Sequence, residues 1–464
     1  MNRLNMFDAP VFQNRRAALK KEMKSGIALF LGNEEAPMNY PSNTFKYRQD
    51  SNFLYFFGLP VADLAAIIDF DEDRVILFGN DFEIDDIIWM GSQPAIQALA
   101  ERVGIKESMP MNKLADYLAN AKGRTVHFVP PYRAETKITL SKLTSLPVDQ
   151  LKANASVDLI KSIVKLRSTK EACEIEEMEL ACAIGVLMHR SVMKACKPGV
   201  AELELAGLVE GLALAKGNGI SFPVILSQHG ETLHNHHHND SLQEGNMLLT
   251  DAGAEGLKNY CSDYTRTIPV GGKFTQKQKE IYELVLRANM EGIAAIRPGI
   301  YYREIHQLAA EIIASGLKEL GLMKGDVKEA VKLGAHALFF PHGLGHQLGM
   351  DVHDMEGLGE NYVGYDDTIS RSDIFGWDAL RMARELNPGF VITVEPGIYF
   401  IPQLIDIWKK ENRFAEFINY DKVEEYRSFG GIRIEDDVLV TEKGHHVLGP
   451  HLEKEVAELE NIMN

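Results

Sequence analysis

The second half of the chain repeats a pattern. A long helical run ends at Lys197-Pro198-Gly199, and a second ends at Arg297-Pro298-Gly299. PGVAELEL follows the first stop and PGIYYREI the second, so Val200 matches Ile300, Glu204 matches Glu304 and Leu205 matches Ile305. Downstream, EGNMLLTD puts Asp251 six residues after Gly245, and PGFVITVE puts Glu395 six residues after Gly389. Each acid closes an apolar strand. One duplicated helix–helix–strand unit accounts for all of these matches, and pseudo-twofold symmetry between the copies sets the two strand ends face to face. The spacing of Ser168 and Glu171 predicts a capping box opening the first helix, and the second helix is predicted to start near Thr275.

Each of these acids has a carboxylate follower on a later segment, Asp263 in NYCSDYTRTIPV and Glu435 in GGIRIEDDVLV. Both segments alternate polar and apolar residues, as strands of an antiparallel sheet do. Four carboxylates meeting at the centre of a sheet could not stay charged without a counter-charge. Two divalent ions would balance them. The stretch HGLGHQLGMDVHD, residues 342 to 354, offers His346 as a fifth ligand. Hard oxygen donors with one imidazole suit Mn²⁺, Co²⁺ or Zn²⁺, and a pair of such ions is an arrangement used for hydrolysis. Taken singly, acids at strand ends are usually turn or cap residues. The HxxxH spacing of His342 and His346 is also not the helical zincin motif, so the specificity lies in the ensemble.

The rest of the chain bounds this reading. At 464 residues it exceeds one ordinary core, so two domains are expected, at 1–157 and 158–464. The first alternates short β-rich runs (SGIALFLG, LAAIIDFDEDRVILFG, RTVHFVP) with helical stretches such as QPAIQALAERVG, which predicts an α/β domain. Of 15 histidines only His127 precedes residue 165, which puts the chemistry in the C-terminal part. A net charge of −17 argues against nucleic acid or an anionic membrane as partner. Cys173, Cys182, Cys196 and Cys261 lack framework spacing and read as reduced thiols. With no signal-like or membrane-spanning apolar run, a cytoplasmic location is expected.

In order along the chain, DAGAE, SDYTRT, HGLGHQLGMDVHD, VEPGIY and GGIRIEDD resemble the proline-specific metallopeptidases of the pita-bread fold, aminopeptidase P and prolidase. YRQDSNFLYFFG, residues 47 to 58, resembles the N-terminal domain signature of the same family. The resemblance implies an α/β N-terminal domain followed by an α+β pita-bread catalytic domain. It also implies that Asp251 chelates one metal, that His346 and Glu395 hold the other, and that Asp263 and Glu435 bridge both. His234 and His353 match substrate-contacting histidines, and His342 lines the same pocket. Arg433 matches an arginine that pins a bridging carboxylate. Glu395 would relay a proton from the attacking water to the departing proline nitrogen, with one or two imidazoles steadying the oxyanion. His236, His237 and His238, with His229 nearby, are expected to form a polar loop near the mouth.

The substrates implied are short peptides with proline in second position, and the assembly implied is a homodimer or larger homo-oligomer. Arg381, 14 residues before Glu395, falls where prolidases keep an arginine for the substrate carboxylate, suited to bidentate hydrogen bonds. That points to dipeptides, with a longer-peptide aminopeptidase as the alternative. Arg381 could equally be one solvated charge among Arg371, Arg381 and Arg384. A non-catalytic peptide-binding module on this fold is the rival outside the enzymes, and the presence of all five ligands speaks against it.

Overall fold

The computed structural model describes residues 6–463, which divide into two units. One runs up to Arg167 and takes in residues 357–362; the other comprises Ser168–Glu356 and the chain from Val363 onward. The boundary expected at 157/158 meets the first residue of the helix Val157–Ser168, and that helix up to Arg167 belongs to the first unit. The reason is packing. Leu159, Ile160 and Ile163 are buried, and Arg167 Nη1 donates to Asn52 Oδ1 at 2.7 Å.

The first unit is built on a five-stranded mixed sheet ordered Glu107–Met109, Arg74–Phe78, Ala65–Asp69, Ile27–Leu31, Val126–His127. The two central pairings are antiparallel and the two outer ones parallel. Ile27, Leu29, Ile67, Ile76 and Phe78 pack with Leu114, Leu118 and Leu140 into its core. The runs expected to be strands are strands, and QPAIQALAERVG supplies the helix Ile96–Arg102. YRQDSNFLYFFG folds into the wholly buried helix Ser51–Phe57, capped where Asp50 accepts from the Phe53 amide.

In the second unit the repetition has a structural counterpart. The helices Ala172–Ala195 and Glu202–Lys216 form one pair, and Gln276–Ala295 and Tyr302–Glu319 the other. Both pairs turn through a glycine in the left-handed region, Gly199 at φ 87° and Gly299 at φ 84°, a conformation that other residues adopt at a cost. The hydrogen bonds repeat as well. Gly199 N bonds Leu242 O and Leu242 N bonds Val200 O, while Gly299 N bonds Leu386 O and Leu386 N bonds Ile300 O. The first helix departs from expectation at its start. Its capping box is Glu171 with Glu174, and Ser168 closes the preceding helix. Thr275 caps the second helix as expected, boxed with Gln278.

The helices flank two antiparallel three-stranded sheets. One joins Ile225–Ser227, Met247–Ala252 and Tyr264–Pro269; the other joins Val391–Val394, Asp436–Thr441 and Gly444–Val447. An antiparallel bridge between Thr265 and Glu435 links them. Residues paired across such a bridge are related by a local twofold. Glu435 is therefore matched by Thr265, and Asp263 is matched by Arg433. The two follower carboxylates are not equivalents. The symmetric frame holds an asymmetric set of side chains.

Candidate metal centre

Five different backbone environments deliver the groups expected to bind metal. Asp251 lies in the strand Met247–Ala252, opposite Thr265. Asp263 immediately precedes the strand Tyr264–Pro269, Glu395 follows Val391–Val394, and Glu435 precedes Asp436–Thr441. His346 comes from the glycine-rich segment, which lies along Val391–Val394: Thr393 N bonds His346 O at 3.0 Å and His346 N bonds Thr393 Oγ1 at 3.1 Å. All five line one cavity of about 500 Å³. His234, His236, His342, His353, Arg381 and Arg433 line it too.

Asp263, His346 and Glu435 each offer a ligand atom, all within 4.8 Å of one another. His346 Nε2 stands 3.5 Å from Asp263 Oδ2 and 3.6 Å from Glu395 Oε1. Its Nδ1 lies 3.0 Å from the Gln347 carbonyl, to which only a protonated nitrogen can donate. Burial lowers the pKa of this ring, so it is neutral with a bare Nε2 facing carboxylate oxygens. Lone pairs thus point at lone pairs. Asp251 Oδ1 and Asp263 Oδ1 are buried without a hydrogen-bond partner. Burial, then the charges of Asp251, Asp437 and Glu395, pushes Asp263 well above the ordinary carboxylate range. Burial, then the charges of Asp263, Glu395 and Asp251, does the same to Glu435. Glu395 is raised by burial, opposed by His346 and Arg433. Crowded anions and an unprotonated imidazole nitrogen are the donor set a divalent cation requires, so the residues present fit metal.

One guanidinium organises the edge of this cluster. Arg433 Nη2 reaches Asp251 Oδ2 at 2.6 Å, Nη1 donates to the Tyr399 hydroxyl at 2.8 Å, and Nε to Thr265 Oγ1 at 3.2 Å. Thr265 in turn donates to Glu435 Oε2 at 2.6 Å. The arginine expected to pin a bridging carboxylate thus bonds Asp251 directly and reaches Glu435 through a hydroxyl. The local twofold places Arg433 at the position equivalent to Asp263.

The remaining histidines differ in what they can offer. His342 Nδ1 meets the Gly343 carbonyl and Nε2 the Tyr399 hydroxyl, both at 2.8 Å. Both nitrogens are engaged, and burial holds the ring neutral with a pKa of about 3. Its Nδ1 lies 3.9 Å from Glu395 Oε2. His353 stacks edge-on against His346, with centroids 4.3 Å apart, and its Nδ1 meets Glu356 Oε2 at 2.6 Å. A carboxylate can only accept, so neutral His353 keeps Nε2 bare; burial, then His346, lowers its pKa to about 4. His234 stacks with His236 on the cavity wall. His238 Nδ1 bonds the Leu226 carbonyl, and exposed His229 pairs with Glu231. Arg381 Nη1 lies 2.8 Å from Glu356 Oε2.

Sequence reasoning passed over Tyr399, Thr265, Glu356 and Asp437. Asp437 Oδ2 accepts from the Asp263 amide at 2.9 Å and so fixes the backbone of a candidate ligand. Tyr399 and Asp437 lie within VEPGIY and GGIRIEDD, two of the stretches that carry the family resemblance, without having been singled out.

Comparison with known proteins agrees with this geometry. Residues 176–442 match the model of metallopeptidase family M24, and residues 12–128 match the aminopeptidase P N-terminal domain. The human Xaa-Pro dipeptidase is 32% identical over 91% of this chain and 85% of its own length. A probable Xaa-Pro aminopeptidase of Phaeosphaeria nodorum is 33% identical over 90% of this chain and 87% of its own. Zinc-substituted aminopeptidase P of E. coli superposes with a TM-score of 0.81 at 29% identity, covering 99% of each chain. A family whose chemistry rests on divalent metal, two matching domains and a cluster of uncompensated donor groups converge on one conclusion: the chain belongs to metallopeptidase family M24, the pita-bread metallopeptidases with an aminopeptidase P type N-terminal domain.

Proposed function

We propose that the protein is an Xaa-Pro metallopeptidase that removes the first residue from short peptides with proline in second position, with Xaa-Pro dipeptides as its preferred substrates. The observation that carries the reading is the set Asp251, Asp263, His346, Glu395 and Glu435 on one cavity wall, with bare His346 Nε2 and unpartnered carboxylate oxygens. These five residues hold two divalent ions, manganese first among Mn²⁺, Co²⁺ and Zn²⁺. Bound there, the ions supply Lewis acidity toward water and toward the scissile carbonyl.

The chain's own groups do the rest. Glu395, whose proton affinity is raised by burial, accepts a proton from the attacking water and passes it to the departing proline nitrogen. Asp251 is bonded by Arg433, which orients it. Bare His353 Nε2 accepts a hydrogen bond from a peptide N–H, and His234 lines the same cavity. His342 positions Tyr399, and through it Arg433, as a support of the cluster. Arg381 receives the carboxylate of the proline.

The alternative, a longer-peptide aminopeptidase, draws on the fold neighbours named aminopeptidase P and on the charge of Arg381 being shared with Glu356. Hydrolysis of Ala-Pro and Ala-Pro-Ala in the presence of Mn²⁺ separates the two. The dipeptide reading expects the higher kcat/KM on Ala-Pro. It also expects Arg381→Ala to raise the Ala-Pro KM by about tenfold or more while sparing Ala-Pro-Ala. Equal losses on both would remove the dipeptide preference.

A further inference from the structure

Asn289, on the helix Gln276–Ala295, is fully buried against the strands that lead to two of the candidate ligands. Those strands pair in two stretches, Val391–Val394 with Asp436–Thr441 and Gly397–Tyr399 with Gly431–Arg433. Val394 pairs with Asp436 at the end of the first, and Gly397 with Arg433 at the start of the second. Two residues lie between on each strand, so the register carries across: Glu395 falls opposite Glu435, and Pro396 opposite Ile434. The Ile434 amide donates to the Pro396 carbonyl at 3.3 Å. The return bond cannot form, because proline has no N–H. The ladder is thus open where two carboxylates face each other, and like charges directly opposite destabilise a strand pair.

Asn289 spans the opening. Its Nδ2 donates to the Val394 carbonyl at 2.9 Å and lies 3.5 Å from the Ile434 carbonyl, the oxygen that Pro396 leaves without its strand donor. Its Oδ1 accepts from Lys454 Nζ at 2.9 Å. An ammonium only donates and a carbonyl only accepts, so the amide has one workable orientation. Lys454 Nζ also meets Asp436 Oδ2 at 2.7 Å, and Asp436 Oδ1 takes Arg266 Nη2 at 2.6 Å. Arg266 Nη1 in turn donates to the Glu435 carbonyl at 2.7 Å. One buried polar chain therefore holds backbone on both sides of the opening. The other copy of the repeat has His189 at the matching place, nine residues before Pro198 as Asn289 is nine before Pro298. His189 Nε2 meets the Ala252 carbonyl at 3.0 Å, but Ala252, unlike Pro396, keeps an amide and pairs with Tyr264. We propose that Asn289 is a positioning residue for the metal centre, clamping the strand ends that carry Glu395 and Glu435 where Pro396 interrupts their pairing. The proposal rests on the reading of Glu395 and Glu435 as metal ligands given above.

The test is the affinity of the chelator-treated protein for Mn²⁺, measured by calorimetric titration. Asn289→Ala is expected to weaken binding about tenfold, as loss of a group that orients ligands does. Pro396→Ala supplies the missing amide, so in that background the same substitution is expected to cost about threefold or less. A role in packing alone would lower the Tm in both backgrounds and leave the Mn²⁺ affinity where it was. Asn289→Ser, whose hydroxyl keeps a donor, carries the same comparison with the same expected sign if Asn289→Ala does not fold. Wild-type affinity in the Asn289 variant overturns the proposal, and so does an equal loss with and without Pro396. Glu395→Ala and Glu435→Ala, measured alongside, keep the two readings apart. Unchanged Mn²⁺ binding in both removes the reading of the ligands, whereas weakened binding in them beside an unmoved Asn289→Ala removes only the clamp.

Discussion

At the scale of single residues, the site depends on groups that touch the candidate metal ligands without being candidates themselves. Tyr399 is fully buried and takes one hydrogen bond from Arg433 while engaging His342 Nε2. Tyr399→Phe leaves Arg433 Nη1 short of a partner in a dry environment, which costs ~1–3 kcal/mol. Chemical denaturation would read this as a lower midpoint at unchanged slope, and stability within about 0.5 kcal/mol of wild type would show that the network rewires. His353→Ala should lower turnover while the purified protein keeps its metal, because His353 faces the cavity through Nε2 and is secured by Glu356; loss of metal would make it a ligand. The candidate ligands Asp251 and Glu395 were legible because acids at matched strand ends are conspicuous in a duplicated sequence. Tyr399, Thr265 and Glu356 were not. Thr265 matters through Arg433 and Glu435, 168 and 170 residues away, a relation that spacing cannot express.

At the scale of elements, the glycine-rich segment is the instructive case. Its glycines suggest a loop, yet it lies against a strand: Leu348 N bonds Val391 O, Glu395 N bonds Leu344 O, and Gln347 bridges to Ile392. Gly345 is required by proximity, since a Cβ there would stand 2.1 Å from the Thr393 carbonyl oxygen and 2.6 Å from the Tyr302 hydroxyl. Gly345→Ala should therefore push His346 away from Asp263 and Glu395, at a cost of ~1–3 kcal/mol in stability. Metal titration by calorimetry should show weaker binding in this variant, and wild-type affinity would mean that the segment yields without moving the imidazole. Helix pairing and the Pro-Gly turns could be read from the repeat, because a left-handed turn after a helix selects glycine whatever the tertiary context. The capping box could not be placed from Ser168, because Glu171 with Glu174 forms the box three residues later, at the Glu171 and Glu174 amides.

At the scale of the whole molecule, two groups of titrations oppose each other. Burial lowers the pKa of His189, His306, His336, His342 and His353, two of them beside the site and three in the helix-packed core. A histidine held neutral stabilises the fold above its unfolded pKa near 6.5, and that contribution is lost as pH falls. Asp263 and Glu435 act in the other direction. With pKa values raised above the unfolded range, they favour the fold at low pH and weaken the metal-free protein as pH rises through their folded values. Metal relieves the second effect and not the first. The increase in Tm on adding Mn²⁺ after chelator treatment should therefore be larger at pH 8 than at pH 5, and an increment independent of pH would show that these carboxylates do not hold the ion. Among the described residues no helix is long and apolar enough to cross a membrane.

The central claim is that two copies of one folding unit bring Asp251, Asp263, Glu395 and Glu435 together with His346 around a pair of divalent ions. Anomalous diffraction from crystals soaked in manganese tests it most directly. The account predicts two manganese peaks, both within bonding distance of those side chains, with Asp263 and Glu435 touching both ions. A cavity without anomalous density, or manganese bound away from these five residues, would contradict it.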